Sequence, residues 1–123
     1  MSKNYNHFTD LTVWQKGHQV VLWVYQITKN FPNEEKYGLT SQMQRSAVSI
    51  TSNIAEGFGR KNLGEKIQFL HISLGSAYEL ENQLLVSIDL KLVTDENISQ
   101  IKSVLTEVQK MLASAIRKLK DKQ

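Results

Sequence analysis

Arg45-Ser46-Ala47-Val48-Ser49-Ile50-Thr51-Ser52-Asn53-Ile54-Ala55-Glu56-Gly57-Phe58-Gly59-Arg60 is the stretch that decides the fold of this chain. Leu39, Met43, Ala47, Ile50, Ile54 and Phe58 recur at steps of three or four, which lays one apolar stripe along one helix. A second stripe is polar: Gln42, Arg45, Ser49, Asn53 and Glu56. Ser46, Ala47, Thr51, Ser52 and Ala55 fill what remains. So little side-chain bulk lets neighbouring helices approach closely and puts long polar side chains at risk of burial. A buried polar group without a partner costs about 1–3 kcal/mol. Arg45, Asn53 and Glu56 are therefore expected to form an internal polar network, with Arg45 and Glu56 available as charge partners. Gly57 and Gly59 are expected to end the helix in the left-handed conformation that glycine adopts at no steric cost.

Three further helical patterns flank this one. The spacing predicts helices over roughly 10–30, 38–58, 63–90 and 95–120, with no convincing alternating strand. Phe31-Pro32 breaks the first, because the residue before proline resists helical angles. Within it, Val20-Val21-Leu22-Trp23-Val24-Tyr25 is apolar all round, which predicts burial all round. Part of that surface, Trp23 above all, is expected to meet another subunit. The third helix opens on Asn62-Leu63-Gly64-Glu65, which has the form of a capping box. It carries two apolar stripes, Ile67-Leu70-Leu74-Ala77-Leu84-Ile88 and Phe69-Ile72-Leu80, too wide for one intramolecular seam. Phe69 and Ile72 thus join Trp23 as expected contacts between subunits. Thr94 is a suitable N-cap for the fourth helix, whose Ile98, Ile101, Leu105, Val108, Leu112, Ala115 and Leu119 make a bundle seam. Short connections make successive helices antiparallel. The expected fold is all-α: one domain, an antiparallel up-down-up-down four-helix bundle.

Composition sets the outer bounds. At 123 residues, 41% of them hydrophobic and 22% charged, the chain is an ordinary globular domain. It has no cysteine, which removes disulfides and thiol chemistry together. Met1 to Asp10 holds no run resembling a signal peptide, and Val20–Tyr25 falls far short of the roughly 20 apolar residues that span a bilayer. No membrane association is expected, and cytoplasm is the default location. The net charge of +3 is modest, but Arg117, Lys118, Lys120 and Lys122 crowd the last positions, where they also complement a helix dipole.

Catalytic chemistry finds little footing. A di-iron bundle uses Glu-x-x-His pairs, and none of His7, His18 and His71 follows a glutamate at that spacing. Glu79 and Glu81 lie two apart on a helix and cannot converge on one substrate; one is expected to be solvated and the other buried with a polar partner. The serines lack a strand-turn-helix elbow or a neighbouring histidine. His18 reads as a packed core residue. The expectation is a protein that is not an enzyme and takes no cofactor or metal. The candidate binding feature is the corner between the second and third helices, Arg60-Lys61 with Lys66 one turn on, since helix N-termini and cations together favour phosphate.

Ser49-Ile50-Thr51-Ser52-Asn53-Ile54-Ala55-Glu56-Gly57 resembles the S-I-P-S-N-I-A-E-G signature of the four-helix-bundle proteins encoded in 23S rRNA intervening sequences. The same superfamily includes the accessory protein of diversity-generating retroelements. Leu11-Thr12-Val13-Trp14-Gln15-Lys16, Phe31-Pro32, Tyr37-Gly38-Leu39-Thr40-Ser41-Gln42, Gly75-Ser76 and Glu79-Leu80-Glu81 agree with it as well. Thr51 stands where the signature has proline, which would remove one helix hydrogen bond and bend the helix. The resemblance implies a homopentamer and a small accessory protein that binds nucleic acid, structured RNA above all, through the basic surface of a ring. In the retroelement relatives a reverse transcriptase is also bound.

Two functions from different classes follow. In one, the chain binds RNA or DNA, and Arg60, Lys61, Lys66, Arg117, Lys118, Lys120 and Lys122 meet phosphates. In the other it is a protein-interaction scaffold, such as a reverse-transcriptase accessory subunit, and its charges only keep it in solution.

Overall fold

The computed structural model describes residues 5–123; the Met1–Asn4 part of the N-terminal segment lies outside the described residues. Four helices carry the fold: α1 (Thr12–Thr28), α2 (Leu39–Gly59), α3 (Leu63–Asp89) and α4 (Ser99–Lys120), and no strand occurs among the described residues. Each helix packs on its sequence neighbours, and α1 against α4 closes the ring. The protein is an antiparallel four-helix bundle.

The stripe that organised the sequence is the core. Met43, Ala47, Ile50 and Ile54 of α2 are buried, together with Val20 and Val24 of α1, Ala77, Leu80 and Leu84 of α3, and Ile101, Leu105, Val108 and Leu112 of α4. The α2–α3 seam is the most extensive contact, and it is built from small residues. Ser73 Oγ donates to the Ile50 carbonyl at 2.8 Å, and Ser49 and Ser76 share a hydrogen bond at 2.7 Å. Hydroxyls serve here because they are short enough to permit the approach and still satisfy themselves across it. Thr51, at the proline position of the signature, is buried and donates to the Val48 carbonyl at 3.1 Å, within an α2 that runs unbroken. Its methyl lies 3.1 Å from where a Cβ on Gly17 would stand, so α1 and α2 touch backbone to side chain at that level.

The ends differ from the sequence expectation in one instructive way. No glycine among the described residues takes positive φ; α2 continues through Gly57 to Gly59, and Arg60 leaves it in extended conformation. Gly57 is buried because α3 passes over it: an added Cβ would stand 3.3 Å from the Phe69 Cβ and 3.5 Å from the Lys66 carbonyl. Close approach, not chain reversal, explains this glycine.

The left-handed cap is instead at Lys91, φ 62°, the sole positive-φ non-glycine among the described residues. Its N–H reaches the Ile88 carbonyl and that of Leu92 the Ser87 carbonyl, both at 2.9 Å, closing α3 in a Schellman motif. A side chain in this conformation is strained by about 1–2 kcal/mol. Lys91→Gly is therefore expected to stabilise the fold by up to about 1 kcal/mol after the unfolded-state entropy of glycine is counted, read as a higher denaturant midpoint at unchanged slope.

Capping elsewhere follows the sequence in part: Asn62 caps α3 without the return bond from the Glu65 side chain, and Thr94 caps a preceding turn rather than α4 itself. Asn62 Oδ1 accepts from the Glu65 N–H at 3.0 Å, and Thr94 Oγ1 from the Asn97 N–H at 3.1 Å ahead of a short 3-10 turn, Glu96–Ile98. That turn delays α4 to Ser99, a few residues past its expected start. At the other end of the chain, His7 caps the turn Phe8–Asp10, and Phe8 leans on Trp14, which stacks on the exposed His18 at 4.7 Å. His18 is a surface residue covering an indole, not a core histidine.

Candidate nucleic-acid interface

Up-down-up-down topology puts the start of α1, the α2–α3 corner and the end of α4 at one end of the bundle. Two basic segments more than fifty residues apart in sequence thereby meet: Arg60, Lys61 and Lys66 from the corner, and Arg117, Lys118, Lys120 and Lys122 from the C-terminal turn. Against these seven cations the same end carries four carboxylates, Asp10, Glu56, Glu65 and Asp121. Two of those are engaged. Asp10 accepts the Asn6 and His7 N–H groups at 3.1 Å each, and Glu56 pairs with Arg60 at 3.0 Å.

The cations are not equivalent. Lys66 is half-buried, and its ammonium donates to the Gly57 and Phe58 carbonyls at 3.2 and 3.1 Å. It therefore satisfies the C-terminus of α2 from α3, with one N–H left over. Arg60 is held twice, by Glu56 and over the Phe69 ring at 4.9 Å from the centroid. An exposed pair of this kind contributes little to stability, so its effect is to fix the guanidinium in place. Lys61, Arg117, Lys118, Lys120 and Lys122 are exposed. They are the residues with freedom to follow a phosphate backbone.

The internal network expected of Arg45, Asn53 and Glu56 does not form within the chain. Arg45 and Glu56 are exposed, and Glu56 turns to Arg60, four residues on and one turn away, rather than to Arg45. Asn53 is half-buried and bonds locally, to the Ser49 carbonyl at 2.8 Å and hydroxyl at 3.0 Å. The α2–α3 seam buries the hydroxyls instead, and the long polar side chains stay on the outer face of α2. Glu79 is exposed and Glu81 has a polar partner, as expected, but Glu81 is half-buried rather than buried; it accepts from buried Gln109 at 2.8 Å across α3–α4.

The residues expected between subunits also divide. Trp23 is half-buried and packs against the chain's own core, beside Ile27 and Ile101. Phe69 is half-buried beneath Arg60 and against Gly57. Ile72 is 45% exposed and faces outward. On α1 the outward apolar positions are Leu22 and Tyr25, opposite Val20 and Val24, and Val48 of α2 lines a groove with Tyr25.

Among the described residues no group of three or more His, Cys, Asp or Glu side chains is placed to hold a metal ion, and no helix is long and apolar enough to cross a membrane.

A four-helix bundle with one cationic end is a class shared by many proteins. The model of the 23S rRNA-intervening sequence protein family matches residues 9–114, and the chain belongs to that family. It is also similar to a solved structure from Bacteroides thetaiotaomicron, described as a protein with unknown function from the S23 ribosomal protein family. The two are 30% identical with a TM-score of 0.79, over 85% of this chain and 98% of that one. No curated protein matches the chain.

Proposed function

We propose that this chain is a non-catalytic accessory protein that self-associates and binds structured RNA through the cationic end of its bundle. The observation that carries the reading is that Lys61, from the α2–α3 corner, and Lys118, Lys120 and Lys122, from the C-terminal turn, fall at one end of the bundle. Phosphate contacts of this sort supply affinity without reading sequence. The family's association with 23S rRNA intervening sequences makes rRNA the first substrate to try. Self-association, with five copies as the family resemblance implies, would set several such ends around one rim and sum their fields. Leu22, Tyr25, Val48 and Ile72, exposed on the flanks, are the apolar surface such an assembly would cover.

The same exposed apolar residues favour a second reading, a scaffold for a protein partner such as a reverse transcriptase in the cytoplasm. Salt separates the two. About three phosphate contacts per chain predict a loss of affinity of roughly 20- to 40-fold over a fourfold rise in salt. The test is fluorescence anisotropy of a labelled rRNA fragment with the wild type and with Lys61→Glu/Lys118→Glu/Lys120→Glu. Arg60 and Lys66 are spared because both hold the corner together. Steep salt dependence, flattened and weakened in the triple variant, is the expected result. Equal binding by the variant, or none by either protein at low salt, would sink the RNA reading and leave the scaffold.

A further inference from the structure

The outer faces of α1 and α3 carry opposite charge. α1 contains no Asp or Glu, whereas no Lys or Arg occurs between Ile67 and Leu90. Steps of three and four put Leu22, Tyr25 and Lys29 on one exposed stripe and Gly75, Tyr78, Asn82, Leu85 and Asp89 on another. Arg45 and Val48 extend the first stripe across the α1–α2 groove, and Glu79 and Val86, both exposed, flank the second. The other charges nearby are spent on α4: Lys16 pairs with Glu107 at 2.6 Å, and Glu81 accepts from Gln109. Lys29, Arg45, Glu79 and Asp89 form no ion pair among the described residues, although Arg45 and Glu79 border the same α2–α3 groove.

Gly75 is an independent observation on the acidic face. It is exposed in the middle of a helix, where glycine costs about 1 kcal/mol relative to alanine. Nothing in the chain lies within 4 Å of an added Cβ. Its missing side chain leaves a notch between Ile72 and Tyr78 that only a group from outside the chain can fill.

One molecule carries the complement of both faces, and it is a second copy of this chain. We propose, resting on the self-association read above, that copies join head to tail: the Leu22, Tyr25 and Val48 face of one bundle seats on the Tyr78, Leu85 and Val86 face of the next. Lys29 and Arg45 then stand opposite Asp89 and Glu79. A contact of either face with its own copy would instead set like charges together, which disfavours an isologous dimer. α1 and α3 run in the same direction, and Lys29 and Asp89 close them at the same end of the bundle, so parallel copies bring the two residues level. Parallel copies also keep every cationic end on one side. Because the first face leans towards α2, the two faces diverge by less than a half-turn, and repeated contacts curve towards a closed ring.

The experiment mixes two variants, each spoiled on one face, and reads mass by sedimentation velocity. Tyr25→Glu/Val48→Glu spoils the first face and Gly75→Gln/Leu85→Lys the second. Each alone is expected to be monomeric at concentrations where the wild type associates. Their equimolar mixture is expected to give a 1:1 dimer and nothing larger, because each supplies the face the other lacks. Lys29→Asp is expected to weaken association about fivefold, and Asp89→Lys in the same chain to restore it. A wild type that is monomeric at every concentration sinks self-association and this contact with it. A wild type that associates beside a mixture that stays monomeric keeps self-association and overturns the pairing of faces. So does a face variant that assembles fully by itself, or a charge exchange that recovers nothing. Circular dichroism checks folding, and the charge exchange keeps the test decisive should a face variant be unfolded.

Discussion

Replacing Gly57 by leucine is expected to lower the melting temperature by roughly 10 °C, while Gly75→Ala raises it by a few degrees. Both glycines sit inside helices, and helix propensity alone says each should improve by up to about 1 kcal/mol on gaining a side chain. Their surroundings reverse the sign for one of them. A Cβ on Gly57 would stand 3.3 Å from the Phe69 Cβ, 3.5 Å from the Lys66 carbonyl and 3.7 Å from the Leu70 Cδ2, whereas nothing lies within 4 Å of one on Gly75. Leucine at 57 adds three further carbons to that crowded space. Overpacking of this order costs about 1–3 kcal/mol even when the neighbours move. Here the neighbour is α3 backbone, and moving it also withdraws Lys66 from the carbonyls it caps. Thermal unfolding followed by circular dichroism checks both variants. A Gly57→Leu protein that melts with the wild type would mean that α3 does not cross α2 as closely as this.

The contrast also shows how far the sequence could be read. Helical period placed the inward faces of α2 and α4, because each keeps one unbroken apolar stripe and a stripe of that width has one place to go. The same period could not say which polar residues lie inside. Ser49, Asn53 and Glu56 occupy one stripe, yet Ser49 is spent on Ser76, Asn53 on its own helix and Glu56 on Arg60. What separates them is reach: a hydroxyl bonds across a close seam, whereas a carboxylate there would require a buried cation. Trp23 shows a related limit: a run apolar all round does not reveal which members meet the chain's own core, and Trp23, half-buried, packs against that core with part of its surface left open. The cationic end was half legible. Each basic cluster is visible in the chain, but their meeting is a consequence of topology, and the commitment of Lys66 to α2 carbonyls is visible only in three dimensions.

Leu80→Ala is expected to cost about 4 kcal/mol, and Leu85→Ala, five residues on in the same helix, less than about 1 kcal/mol in the protomer. Leu80 is fully buried; Leu85 is 46% exposed. Deleting a buried leucine costs the lost transfer free energy plus a cavity term that depends on how well the site collapses. Around Leu80 collapse is poor. Across the seam, between the Ser49–Ser76 and Met43–Ser87 contacts, α2 offers Ser46 and Ala47, which are too short to swing into the void. The loss should therefore fall in the upper part of the range for such changes, a large share of the roughly 5–15 kcal/mol that holds a domain of this size. Urea titration at unchanged slope measures it. Leu85 has a second readout. If the flank of α3 is covered by another copy, Leu85→Ala shifts the protein towards smaller species in light scattering while its protomer melts as before. A Leu85→Ala protein that keeps the wild-type mass at every concentration would remove that flank from the assembly, and a Leu80→Ala protein of wild-type stability would contradict the core itself.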